Sequence, residues 1–287
     1  MVEIAAKPHG PYSLALSARH ASDATRHFRD GVFTARYRDA IAQAWQSPDG
    51  TVTIRSDSAE AAEKLRWVLA LDDDHSEFLR RFRDDPLIGR ATVHLRGLRP
   101  VRTATVAQAL LRAVCGQLIA AKTARAHERR VIRALQSREP AVSVAATDLL
   151  EPPQTSTLGA LAPFELRRLG LNERRGAALV RVCRSIELER LHDVPTATVV
   201  ARIERERGLG PWSAGVVCLE GLGRFEHGLV GDLGLVKYLR AIRGREVETW
   251  ETAELLEPYG EWAGLASVYF LTGLARGLVP APAASAA

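Results

Sequence analysis

The 287-residue chain is 46% apolar and 25% charged, which excludes a disordered or low-complexity chain and leaves room for two units with separate cores. Its net charge of +5 suits a polyanionic partner without requiring one. MVEIAAKPHGPY shows no apolar stretch after a basic start, no run has the length of a membrane span, and Cys115, Cys183 and Cys218 form no CxxC pair. A secretory leader, a membrane anchor, a zinc ribbon and an iron–sulfur cluster are therefore not expected, and a cytoplasmic location is.

Apolar and β-branched runs predict strands at 12–16, 31–37, 42–45 and 51–54, the last two flanking a Pro48-Asp49-Gly50 turn. A helical pattern runs from Ser58 to Leu69, so residues 1–95 are expected to form a small α/β domain with an antiparallel sheet. From residue 76 onward the pattern is helical. Segments 76–84, 105–120 and 124–136 space their apolar residues as a helix does, as at Val106, Leu110, Ala113 and Val114. Residues 139–160, rich in Pro, Ser, Thr and Ala, read as a connector with one short helix at most. Helices are predicted over 163–168, 174–186 and 196–207, the last capped by Thr196 behind Pro195. Segments 211–222, 233–242, 249–257 and 262–276 complete a bundle assigned to 96–280, and the tail 281–287 is expected to be disordered. The cysteines sit in apolar helical contexts and read as buried small hydrophobes. Arginines cluster at Arg125, Arg129, Arg130 and Arg133 and again at Arg167, Arg168, Arg174, Arg175 and Arg181. Solvated helix faces and a phosphate-facing surface both fit them.

The sharpest local signal is Arg207-Gly208-Leu209-Gly210-Pro211-Trp212-Ser213, between two helical patterns. Gly208 and Gly210 allow a tight turn with positive φ, Leu209 can plug the space between the helices, and Pro211 suits a first helical turn. The free N–H groups of such a helix end can hold a phosphate, with Ser213 adding a hydroxyl; an ordinary turn between helices fits equally. Downstream, a glycine-rich loop over 221–231 leads to Asp232-Leu233-Gly234, where Asp232 reads as a helix cap, a cleft carboxylate or both.

Together these features resemble the helix-hairpin-helix-GPD superfamily of DNA glycosylases. Leu110-Leu111-Arg112-Ala113-Val114-Cys115-Gly116-Gln117-Leu118-Ile119 is similar to the helix and turn carrying the intercalating wedge in the DNA-3-methyladenine glycosylase II branch. Gly170-Leu171-Asn172-Glu173-Arg174-Arg175-Gly176-Ala177 resembles the segment before that family's hairpin, and a small N-terminal sheet domain also fits the branch. The resemblance spans about residues 76–276. It implies a mainly α-helical bundle with a helix-hairpin-helix motif beside the small α/β domain. It implies a monofunctional enzyme of base excision repair that flips out alkylated bases of the 3-methyladenine type and hydrolyses their N-glycosidic bond. Asp232 matches the catalytic aspartate, and Gln117 and Leu118 match the wedge. Gly208, Leu209, Gly210 and Ser213 match the phosphate-binding hairpin, and Trp212, Leu233, Tyr269 and Leu271 the base pocket. Trp212 stands where bifunctional members carry a lysine nucleophile, which implies no lyase activity.

The implied partner is double-stranded DNA with damaged bases, bound by a monomer that is nucleoid-associated when on DNA, with no metal and no cofactor. The chain departs from the family pattern at Leu233 and Leu271, where aromatics are expected, and in its last helix, which keeps Trp262 but lacks the arginine and proline of the family's PWRSYA segment. A less aromatic pocket leaves a same-fold glycosylase for other lesions, such as oxidised purines, as an alternative. A non-catalytic DNA-binding module is the other, although it has no need of Asp232.

Overall fold

The computed structural model describes residues 1–117, 119–138 and 147–281. Leu118, most of the tail expected at 281–287 and the connector stretch 139–146 lie outside the described residues.

Five antiparallel strands form one sheet: β1 (Val2–Ala6), β2 (Arg26–Arg29), β3 (Val32–Tyr37), β4 (Ala40–Gln46) and β5 (Val52–Ser56), in the order β1-β5-β4-β3-β2. Its register aligns Phe33 with Ala44 and Ala44 with Ile54. Large and small side chains thus alternate across one buried face, which packs beneath α2 (Ala59–Val68). Ser58 caps that helix by accepting from Ala61 N. The tight turn at Asp30-Gly31 takes positive φ at both residues, and the expected turn at Gly50 has φ +88°. Residues 12–16, expected as a strand, instead lead into helix α1 (Leu14–Ala18). Ser13 Oγ accepts from Leu16 N, and a helix buries Leu14 and Ala18 on one face. The edge strands β1 and β2 were not expected, since both are short and charged.

The helices that follow are α3 (Ser76–Arg81), α4 (Gly89–His94), α5 (Val106–Gly116), α6 (Ala121–Gln136), α7 (Thr155–Gly159), α8 (Pro163–Arg168), α9 (Glu173–Ser185), α10 (Thr196–Glu204), α11 (Pro211–Val216), α12 (Leu233–Arg243), α13 (Thr252–Leu256) and α14 (Ala263–Ala275). A π turn, Val217–Gly221, continues α11. Thr196 is the first residue of α10 rather than its cap; Pro195 takes that place without a side-chain bond. Helix α5 is buried from Val106 to Cys115 and forms the axis of one core with α6, α9 and α10. The helices α3 and α4 pack with α12 and α14 around Phe78, Tyr259, Tyr269 and Phe270, whereas the core of the sheet takes in Val101 and Ala104. All three cysteines are buried, and burial pushes the thiols of Cys183 and Cys218 up to about 12. No helix among the described residues is long and apolar enough to cross a membrane.

Several charged side chains lie inside this apolar frame, and Arg112 gathers three carboxylates around it. Arg112, on α5, reaches Asp23 Oδ2 at 2.5 Å, Glu128 Oε1 at 3.0 Å and Glu220 Oε2 at 2.5 Å. These carboxylates come from the loop before β2, from α6 and from the π turn, so one guanidinium ties the sheet to the bundle. Burial alone would raise the Asp23 carboxyl, but Arg26, Arg112 and Arg125 outweigh it and bring it down from 3.8 to about 2. A depressed carboxylate contributes stability that is present above its unfolded value and lost as pH falls through its folded one. The contribution of Asp23, about 2 kcal/mol, is therefore complete at neutral pH and disappears between about pH 4 and pH 2. Urea midpoints should fall across that window, and Asp23→Asn, less stable at pH 7, should fall less steeply. An unchanged pH dependence in the variant would contradict the assignment.

Candidate active site

Beyond α10 the chain turns through Gly208, whose φ of +101° lies in the left-handed region that favours glycine. Leu209 donates its N–H to Glu206 O and buries its side chain in the core between α5, α9 and α10. The second glycine does not share the positive φ expected of it: Gly210 is extended, at φ −125° and ψ −172°, and precedes Pro211, the first residue of α11. The end of α5 is bound to this hairpin. Gln117 Nε2 donates to Gly208 O and to Ser213 Oγ, both at 2.9 Å, while Gln117 O accepts from Arg175 Nη1 at 2.7 Å. Gln117, expected at the duplex beside the wedge, thus has its amide committed to the hairpin. Ser213, expected to offer a hydroxyl to phosphate, is buried and braces the same junction.

Trp212 crosses over Gly116, where a Cβ would stand 2.7 Å from the indole Cη2, so only glycine allows this approach. The indole Nε1 donates to Asp232 Oδ2 at 3.2 Å. The other carboxylate oxygen, Oδ1, accepts from Gly234 N at 2.7 Å and caps α12. Asp232 is therefore a helix cap and a cleft carboxylate at once. Its loop is fixed by Gly231, at φ +86°, whose N–H donates to Thr252 Oγ1 at 2.7 Å, and by Leu229 N, which donates to Ser267 Oγ.

The hairpin, the end of α5 and the Asp232 turn border a cleft of about 680 Å³, within the range of ligand-binding clefts. Gln117, Trp212, Asp232 and Leu233 face it together. Tyr269 does not belong to it: it is fully buried among α3, α4 and α14, and its hydroxyl donates to Leu95 O and Leu98 O. Leu271 also lies outside the lining. It packs behind the cleft with Val216, Leu219 and Leu229, and its Cδ2 would stand 2.6 Å from a Cβ at Gly234. Two residues on one helix two positions apart point in different directions, so Tyr269 and Leu271 could not both face a common pocket.

The cleft also contains groups that the sequence did not single out. Lys237 lies one turn beyond Leu233 on the same face of α12, a spacing that could have revealed it. Trp250, 61% exposed, stands at the rim on a 3₁₀ turn, Thr249–Glu251. The inner end is formed by Arg112, Glu128 and Glu220. Burial would raise the Glu220 carboxyl, but the guanidiniums of Arg112 and Arg125 prevail and hold it below its ordinary value. The cleft thus combines an oriented carboxylate, an indole wall, an amine at its mouth and a paired charged floor. A carboxylate so placed can stabilise positive charge developing on a substrate or orient a water.

No protein-family model matches the chain. It is 23% identical over 207 residues to a DNA-3-methyladenine glycosylase of Bacillus subtilis strain 168, covering 69% of this chain and 67% of that one. The structure superposes on a 3-methyladenine DNA-glycosylase of Archaeoglobus fulgidus with a TM-score of 0.80 at 18% identity, over 97% of this chain and all of the other. It superposes on the 8-oxoguanine glycosylase/lyase of Clostridium acetobutylicum, bound to double-stranded DNA with cytosine opposite 8-oxoguanine, with a TM-score of 0.76 at 14% identity, over 96% and 99% of the two chains.

The crossing of Trp212 over Gly116 has a testable sign. Gly116→Ala should destabilise the protein by about 1–3 kcal/mol through the clash. In a Trp212→Ala background the same change should be neutral or stabilising, because only the helical preference for alanine remains. Thermal melts of the four proteins measure the coupling, and additive effects would disprove the contact.

Proposed function

Taking as premise that the chain has the fold of the helix-hairpin-helix-GPD glycosylases, we propose that it is a monofunctional DNA glycosylase of base excision repair. In this reading it removes alkylated bases of the 3-methyladenine type from duplex DNA. The observation that carries it is the Asp232 carboxylate, held in a ligand-sized cleft by the indole N–H of Trp212 and the backbone N–H of Gly234. The relatives named for 3-methyladenine support the choice of substrate.

The reacting carbon of a stacked nucleotide is inaccessible, so the base must leave the duplex first. The backbone N–H groups of Gly208 and Gly210 would grip a phosphate, with Leu209, whose own N–H is held by Glu206 O, shaping the turn, and Lys237, exposed at the mouth, would supply a further positive contact. Leu118 would fill the gap left by the flipped base and offset an unstacking cost on the order of a few kcal/mol. As the N-glycosidic bond breaks, positive charge builds on the sugar. The negative charge of Asp232 stabilises it and orients or deprotonates the attacking water. Trp212 and Leu233 line the space for the base, and an indole face attracts a cationic base by ~0.5–2 kcal/mol.

Base release from duplexes carrying single defined lesions, or from methylated DNA, tests this reading. Asp232→Asn should lower release by orders of magnitude while nonspecific duplex binding persists. Unchanged release would sink the mechanism, and tight binding without release of any lesion would favour a DNA-binding module. Leu118→Ala should lower excision more than nonspecific binding, because the phosphate grip is separate from the wedge; equal losses would assign Leu118 to packing. Borohydride treatment during turnover should trap no covalent adduct. An adduct that disappears in Lys237→Ala would instead identify a lyase whose amine comes from α12.

A further inference from the structure

The cleft has an inner end and a rim, distinguished by burial. At the rim, Leu233 and Trp250 are exposed. At the inner end, the side chains of Arg112 and Glu128 are 8% and 1% exposed, while that of Glu220 is 26% exposed. Of the two inner carboxylates, Glu220 is thus the accessible one. Its Oε2 accepts from Arg112 Nη1, and among the described residues no group donates to its Oε1.

The backbone explains how Glu220 comes to face the cleft. Trp212, Val216 and Glu220 are spaced four apart and all line it. At 3.6 residues per turn, two helical residues eight positions apart differ by about 80° in direction. The widened turn over Val217–Gly221, closed by a bond from Leu222 N to Val217 O at 3.0 Å, takes back part of that rotation. Glu220 O is also pinned by Thr103 N and Oγ1. Behind it, Arg112 cannot swing away, because Asp23 and Glu128 hold its remaining edge and Arg125 holds Glu128 at 3.1 Å.

We propose that Glu220 reads the hydrogen-bonding edge of the flipped base and selects bases that present amino N–H donors. The inference rests on the glycosylase reading and deepens it, by naming the substrate class from the cleft's own chemistry. An ionised carboxylate only accepts hydrogen bonds. An amino-bearing base gives Oε1 the donor it lacks, and a cationic alkylated base adds charge attraction. A base with a carbonyl at that edge sets oxygen against oxygen in a desolvated site, where an unmatched polar group is costly. The Arg112 pairing keeps the carboxylate ionised and fixed without using Oε1.

Direct binding of two free bases that differ at one edge provides the test: 3-methyladenine, with an amino group, and 3-methylhypoxanthine, with an oxo group in its place. Quenching of tryptophan fluorescence reads binding without depending on catalysis. Wild-type protein should bind the amino base about ten- to a hundredfold more tightly. In Glu220→Gln, which can donate as well as accept, the preference should collapse to within about threefold, and in Glu220→Asp part of it should return. No preference in the wild type, no binding of either base, or an undiminished preference in a folded Glu220→Gln would each overturn the proposal. If that variant does not fold, the wild-type comparison and Glu220→Asp decide. Release from methylated DNA is followed in parallel: a wild type that shows the preference but releases no base refutes the glycosylase reading and leaves the role of Glu220 in base binding standing.

Discussion

A single guanidinium, that of Arg112, is the constraint around which the molecule is arranged. An arginine in the middle of a buried helix is tolerated only when its donors meet acceptors of opposite charge in good geometry. Three carboxylates meet that need, and they come from parts of the chain far apart in sequence: Asp23 before β2, Glu128 on α6 and Glu220 in the π turn. Satisfying one side chain therefore fixes the sheet against α5, α5 against α6, and the continuation of α11 against both. The small N-terminal sheet is more than an attached domain, since Asp23 holds the floor of the cleft.

The site is assembled largely from the ordinary needs of helix ends. Gly208 makes the turn and leaves its carbonyl for Gln117, whose amide also occupies Ser213. Gly116 leaves room for Trp212, Trp212 donates to Asp232, and Asp232 caps α12. Each link satisfies a polar group or fills a space that would otherwise destabilise the fold. Precision at the carboxylate thus comes from the rigidity of three helix termini together with the short loop that Thr252 and Ser267 hold.

Sequence patterns were most informative where local chemistry decides. The helix starts at Ser58 and Thr105 and the turn at Gly50 reflect contacts among near neighbours, whereas the hairpin and Asp232, 20 residues apart, were joined in sequence only through the resemblance. The segment at 12–16 was misread because alternating leucine and alanine suit a half-buried strand as well as a short helix, and a single hydroxyl at Ser13 tips the balance. Tyr269 looked like a pocket aromatic because α14 is apolar nearly all round, so its pattern does not say which face meets the cleft. The charged floor was the hardest to foresee. Arg112 is conspicuous in Leu-Leu-Arg-Ala-Val-Cys, but its partners lie 89, 16 and 108 residues away, and Glu220 faces it through a π turn that no local pattern announced.

The double duty of Asp232 has a consequence for how such a protein can fail. A carboxylate that caps a helix can be exchanged for an amide with little loss of the cap, because asparagine accepts the same N–H bond. In a glycosylase, that exchange would leave the fold and the charged floor in place while removing the charge that drives the reaction, together with the bond from the Trp212 indole N–H, which an amide NH2 cannot accept. The resulting protein would still recognise a lesion and remain on it, concealing damage from other repair enzymes. A change at residues that the fold depends on, such as Arg112, would instead empty the cell of the protein and leave the lesion open to them. In that reading, the smallest substitution in the cleft is the one with the most harmful product.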